Sequence, residues 1–191
     1  MKKLVCFGDS LTYGYGVRPG KVWHQILKDT LGIRVLNRGR NGDSLLGMQM
    51  RLSGDVLESL GDTCFFMAGT NDLMMGKPFE EVFDQVISIK EKISKSGIKT
   101  IILTPPPGIA EMAEISWDSY PDYNKFNKSI EELSHLYQKD NPKEFIDIYH
   151  GFMSLPNNER KSLYLDGVHL NEEGNAYLAK ILIKNPIFRT L

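Results

Sequence analysis

The sequence predicts a three-layer α/β/α sandwich with a central five-stranded parallel sheet between two layers of helices. Three observations lead there. Five short apolar runs of β-type residues recur along the chain, segments of helical period separate them, and no repeat, low-complexity tract or Pro/Gly/Ser-rich linker breaks the alternation. Strands joined by helical crossovers run parallel, and a parallel sheet needs cover on both faces. With 191 residues and 41% hydrophobic composition, the chain is expected to form one domain, residues 1–191, whose core needs no metal or disulfide staple.

The first run, Lys3 to Phe7, stops at Gly8, Asp9 and Ser10, so a hydroxyl stands where the strand ends. The second, Ile33 to Leu36, leads into NRGRNGDS, Asn37 to Ser44, where Gly42, Asp43 and Ser44 spell the same triplet again. The third, Thr63 to Met67, runs into GTND, Gly69 to Asp72. A helix should follow, because Phe79, Val82, Phe83, Val86, Ile87 and Ile93 fall on one face and Gly97 can cap it. The fourth run, Lys99 to Leu103, opens a segment from Thr104 to Pro121 that begins TPPPG and carries Met112, Trp117 and Tyr120. That segment is expected to be irregular and to overhang the carboxyl edge of the sheet. Phe126, Ile130, Leu133 and Tyr137 mark another helix before the fifth run, Glu144 to Ile148. A last helix should start near Asn171, with Glu172 and Glu173 facing its N-terminal dipole and Tyr177, Leu178, Ile181 and Leu182 turned inward. Ligands of such sheets bind beyond the carboxyl ends of the strands, which puts the loops after the first three runs on one edge.

Charge and cysteine usage narrow the partners. The 23 Lys and Arg residues against 24 Asp and Glu give a net charge of -1 with no basic stripe, which argues against nucleic acid. Lys2 and Lys3 precede an apolar stretch that ends at Phe7, too short for the core of a signal peptide. No stretch approaches the roughly 20 apolar residues of a membrane span, so no integral membrane segment is expected. Cys6 and Cys64 lie in apolar runs, where a thiol packs as a small hydrophobe, and a reducing, cytoplasmic location is the expectation.

Four segments carry residues that can do chemistry. A hydroxyl at a strand-to-helix turn, such as Ser10, is exposed to a ligand but needs a base to become a nucleophile, and taken alone it reads first as a helix cap. Asp166 stands three residues before His169 in DGVH, a spacing that lets a carboxylate orient an imidazole, although an Asx turn beside a histidine has the same letters. Asn71 in GTND can donate an amide hydrogen to an oxyanion, or sit in an ordinary β-α turn. Gly42 lets a substrate oxygen approach its N–H, or marks a loop residue at positive φ, with Ser44 capping the next helix. His24, His135 and His150 suggest no ligand cluster, so no metal is expected and these three read as surface or capped histidines.

Taken together and in this order, FGDSL, NRGRNGDS, GTND and DGVH resemble the four sequence blocks of the SGNH hydrolase superfamily, the GDSL-type lipases and esterases. They spread over nearly the whole chain, from Phe7 to His169. The resemblance implies that Ser10 is the nucleophile, His169 the general base and Asp166 its orienting carboxylate. It also implies an oxyanion hole formed by the Ser10 N–H, the Gly42 N–H and the Asn71 side chain, with Ser44 a bystander. The implied fold is flavodoxin-like, and the implied activity is serine esterase or acylhydrolase chemistry on a small-molecule ester, without a cofactor. No long lid-like apolar helix is evident, so short-chain or acetyl esters are expected over long-chain lipids. A lysophospholipase or an acyl-thioesterase of the same fold is the alternative. A non-catalytic flavodoxin-like ligand-binding module would instead need a phosphate cradle after the first strand, where Asp9 stands, and no P-loop motif occurs. Tyr13, Tyr15, Met112, Trp117 and Tyr120 are candidates to line an acyl or alcohol pocket, Arg38 and Arg40 to meet an anionic substrate, and the sequence specifies no oligomeric state.

Overall fold

The structure is a computed structural model and describes residues 2–190. Its strands are β1 (Lys3–Gly8), β2 (Arg34–Gly39), β3 (Thr63–Met67), β4 (Lys99–Leu103) and β5 (Phe145–Ile146). They form one sheet in the order β2-β1-β3-β4-β5, and every pairing is parallel. This is the flavodoxin-like order, in which the direction of winding reverses between β1 and β3 and leaves a crevice at their carboxyl ends. The helices are α1 (Ser10–Tyr13), α2 (Trp23–Leu31), α3 (Leu45–Asp55), α4 (Thr70–Met74), α5 (Phe79–Lys95), α6 (Ala110–Ser116), α7 (Tyr123–Asp140), α8 (Ile148–Met153), α9 (Asn157–Lys161) and α10 (Glu172–Lys184). None of the described helices is long and apolar enough to cross a membrane.

Alternation along each strand builds the two helical layers, since successive side chains point to opposite faces. Val5, Phe7, Cys64, Phe66 and Ile102 face α3, α5 and α7, meeting Met48, Val86, Ile89 and Ile130. Leu4, Cys6, Phe65, Met67, Ile101 and Leu103 face α2, α8 and α10, meeting Trp23, Leu27, Phe152, Leu178 and Leu182. Cys6 and Cys64 are therefore buried in opposite layers, and burial raises both thiols above their ordinary value, so each behaves as an inert apolar group. Trp23 fastens the second layer: fully buried, it donates from Nε1 to the Leu11 carbonyl at 3.0 Å, and its backbone N–H meets Asn175 Oδ1 at 3.1 Å. One residue thus joins α2, α1 and α10.

Three expectations are corrected. β5 ends at Ile146, because the Asp147 side chain accepts the His150 N–H at 2.9 Å and caps α8, which begins at Ile148. The segment from Thr104 to Pro121 does lie over the carboxyl edge, with Trp117 against His169, but it is not irregular throughout. Residues 104–109 are buried, Asn127 bonds both backbone groups of Gly108 at 2.8 and 2.9 Å, and the helix-forming AEMA that follows builds α6. His24 is a buried core residue rather than a surface or capped one, packed edge-on against Trp23, and burial lowers its pKa to about 4.

Candidate active site

β1 ends where its last residue can lie against its neighbours only without a side chain. A Cβ on Gly8 would collide with the Met67 carbonyl and the Thr12 hydroxyl. The next residue, Asp9, is the cap of α1, its Oδ1 accepting the Leu11 N–H at 3.0 Å. The capping role that the sequence offers to Ser10 therefore belongs to Asp9, and the Ser10 hydroxyl is left for another partner. At the second GDS triplet the assignment is reversed: Ser44 caps α3, its Oγ accepting the Gly47 N–H at 3.2 Å. The two triplets have different jobs.

The partner of Ser10 comes from the far end of the chain. His169 Nε2 lies 3.1 Å from Ser10 Oγ, and His169 Nδ1 lies 2.7 Å from Asp166 Oδ2. The other carboxylate oxygen of Asp166 accepts the backbone N–H groups of Val168 at 2.9 Å and His169 at 2.7 Å, which fixes the turn. Gly167, between them, has φ +92° and lies so close to α6 that a Cβ would collide with the Ala113 N–H and the Ile109 carbonyl. The corrected α6 is thus what the DGVH turn rests on, and the Ile109 N–H bonds the Gly167 carbonyl at 2.8 Å. On the other side, the Leu165 N–H bonds the His169 carbonyl at 2.8 Å.

The charges follow from these surroundings. Burial pushes the Asp166 carboxyl up, but the hydrogen bonds from the His169 ring and from two backbone N–H groups outweigh it and hold the group below its ordinary value. Asp166 is an anion at neutral pH, ready to orient a ring that carries its proton on Nδ1. Asp9 is the opposite case. It is wholly buried, and burial, only partly countered by the Leu11 N–H, the Thr70 hydroxyl and His169, pushes it up to about 6.

Gly42 and Asn71 stand on the neighbouring loops. Gly42 has φ +70°, and a Cβ there would meet nothing within 4 Å, so the glycine serves the backbone conformation and leaves its surroundings open. Asn71, on α4, donates one amide hydrogen to the Asp43 carbonyl at 2.9 Å and keeps a second. Neither the Ser10 N–H nor the Gly42 N–H has an acceptor among the described residues. Those two N–H groups and the second Asn71 hydrogen are donors without an internal acceptor.

Two aromatic rings enclose the imidazole. The Tyr15 ring lies 4.3 Å from that of His169 and the Trp117 ring 4.6 Å from it, edge-on, both rings being partly exposed. The recess at Ser10 is small and is bordered by Leu11, Gly14, Tyr15 and Leu170. A larger apolar cavity, about 280 Å³, lies at the amino ends of the strands among Leu4, Leu31, Ile33, Thr63 and Phe188, on the edge opposite Ser10. Tyr120 points to solvent and Met112 packs into the core of the second layer. Arg38 and Arg40 both bond Asp55, at 3.1 and 3.0 Å, and are occupied structurally.

Sequence reasoning missed two supports of the site. Asp72 is buried, accepts the Leu45 N–H at 2.9 Å and pairs with Lys77 at 2.5 Å, so it joins α4 to the start of α3. Arg51, on α3, reaches the end of β1 at Gly8 and the loop after β2 at Asp43. The only sequence signal for it is the spacing of four residues between Arg51 and Asp55.

Comparison with known proteins places the chain in a family. Residues 6–177 match the GDSL-like Lipase/Acylhydrolase family. Over 117 residues, 54% of this chain, it is 33% identical to the uncharacterized lipoprotein YqeF of Bacillus subtilis. Over 128 residues, 63% of this chain, it is 26% identical to an arylesterase of Vibrio mimicus. These matches cover 48% and 64% of the two curated relatives, so the chain spans about half to two thirds of their length. Among solved structures, a lipase/acylhydrolase from Enterococcus faecalis superposes with a TM-score of 0.82 at 21% identity, covering 99% of this chain and 97% of that one. With the family matched from Cys6 to Tyr177 and the same fold found in that structure, the chain belongs to the GDSL-like lipase/acylhydrolase family.

Proposed function

We propose that the protein is a serine esterase, one domain over residues 1–191, that hydrolyses carboxylic esters of small molecules through Ser10, His169 and Asp166. The observation that carries this reading is the continuous relay from Ser10 Oγ to His169 Nε2 at 3.1 Å and from His169 Nδ1 to Asp166 at 2.7 Å. It ends beside three donors that have no internal acceptor. Ser10 attacks the ester carbonyl as His169 takes its proton, and the anion of Asp166 stabilises the imidazolium that results. The Ser10 and Gly42 N–H groups and the Asn71 amide receive the negative charge that develops on the carbonyl oxygen. His169 then delivers its proton to the leaving alcohol, and water repeats the sequence on the acyl-enzyme.

Short-chain and acetyl esters are the preferred substrates in this reading, supported by the small recess at Ser10 and by the position of the larger apolar cavity on the opposite edge. The alcohol leaves past His169 over the partly exposed faces of Tyr15 and Trp117, which meet edge to face at 5.8 Å and suit an aryl or other flat-faced alcohol. A cytoplasmic location agrees with the two free buried thiols, and cell fractionation tests it, because one relative is described as a lipoprotein. Hydrolysis of a chromogenic ester panel from acetyl to palmitoyl tests the function, using wild type, Ser10→Ala and Ser44→Ala with folding checked by circular dichroism. Activity lost only in Ser10→Ala is the expected result. A wild type that is folded and inert on every ester refutes the esterase, and a preference for palmitoyl refutes the acyl assignment.

A further inference from the structure

Arg51 has more buried hydrogen bonds than a surface helix residue needs. Its side chain is 7% exposed, and its guanidinium lies 4.5 Å from the centre of the Phe7 ring. Nε bonds Asp43 Oδ2 at 2.6 Å. Nη1 bonds the Arg38 carbonyl at 2.9 Å and Asp55 Oδ2 at 2.7 Å, and Nη2 bonds the Gly8 carbonyl at 2.9 Å. The fork is engaged at all three nitrogens, so the group has one orientation.

The places it touches are where the candidate oxyanion donors are carried. Gly8 is the last residue of β1, two before Ser10. Asp43 follows Gly42 directly, and its own carbonyl accepts the Asn71 amide at 2.9 Å. One cation therefore fixes the backbone before Ser10, the residue after Gly42 and the group that aims Asn71. We infer that Arg51 is a positioning residue that sets the spacing of the oxyanion donors, an inference that rests on the esterase reading above. Arg51 touches no reacting atom. Its effect passes through Gly8 and Asp43, and a lysine, with a single point of charge in place of a planar fork, cannot bond Asp43, Asp55, Gly8 and Arg38 together.

The test is Arg51→Lys and Arg51→Gln, each made in wild type and in Asn71→Ala, with kcat and KM measured on a chromogenic acetyl ester and thermal unfolding followed in parallel. Displacing catalytic donors by a fraction of an ångström to an ångström lowers the rate of the chemical step by on the order of 10-fold to 100-fold. That loss is expected in kcat, with KM within about twofold, for variants that remain folded at the assay temperature. In the Asn71→Ala background the same substitutions should cost several-fold less, because one of the donors that Arg51 aims is already gone. Lysine retains the charge and glutamine does not, so equal losses in the two identify the geometry of the fork as the cause. A folded Arg51→Lys or Arg51→Gln with wild-type kcat overturns the inference. So does a loss that is undiminished on Asn71→Ala, or one that only tracks the folded fraction. An inert wild type is seen before any variant is measured, and it overturns the esterase reading together with this one.

Discussion

Asp9 offers a test of how burial sets charge beside Ser10. Its carboxyl is completely buried, and its pKa rises from 3.8 to about 6. One pH unit of pKa is worth about 1.4 kcal/mol, so the anion is about 3 kcal/mol less favourable in the fold than in the unfolded chain. Because the folded value lies above the unfolded one, the contribution to stability is complete below 3.8 and is lost as pH rises through about 6. Asp9→Asn keeps an oxygen for the Leu11 N–H and removes the titration. Urea unfolding of both proteins from about pH 4 to about pH 8 should show the variant gaining on wild type by about 2–3 kcal/mol across that range. Any fixed penalty for the amide group displaces the whole curve and leaves its slope intact. A stability difference that does not change with pH would refute the argument that burial raises the Asp9 carboxyl above its unfolded value.

Other outcomes follow from the same contacts. Asn71→Ala should lower kcat by on the order of 10² to 10³ while leaving the thermal midpoint close to wild type, which steady-state kinetics and calorimetry will check. Ser44→Ala removes the cap of α3 and should cost about 1 kcal/mol in urea unfolding without changing ester turnover. Trp23→Ala opens the second layer and takes a hydrogen bond from Leu11, so a loss of about 3–5 kcal/mol in unfolding free energy is expected.

The sheet was legible because its central strands are buried on both faces. β1, β3 and β4 read as unbroken apolar runs, and the structure places them within a residue or so of where those runs lie. β5 was overrun at its end because Asp147 looks like any polar residue until its side chain is seen to cap α8. α6 was hidden behind TPPPG. Three prolines and a glycine signal irregular chain, and they do form it, but the signal says nothing about the helix-forming residues directly after them. At the site, Ser10, Asp166 and His169 could be named as candidates because each lies in a short motif at a predicted strand or helix end, and the structure brings the three together. Arg51 could not be named. Two of its four partners are backbone carbonyls, of Gly8 and Arg38, which leave no mark in the identity of a side chain.

The chain contains two tryptophans, and the fold sends them to different places. Trp23 is sealed in the second layer, while Trp117 is partly exposed with its edge against His169. Their emission should separate into two reports within one spectrum. The blue, quencher-inaccessible component follows whether the sheet and its helices are intact. The red component, open to iodide or acrylamide, responds to whatever occupies the space over the imidazole. A Trp23→Phe protein would thus be a label-free sensor of what binds beside His169, and Trp117→Phe would leave a reporter of folding alone.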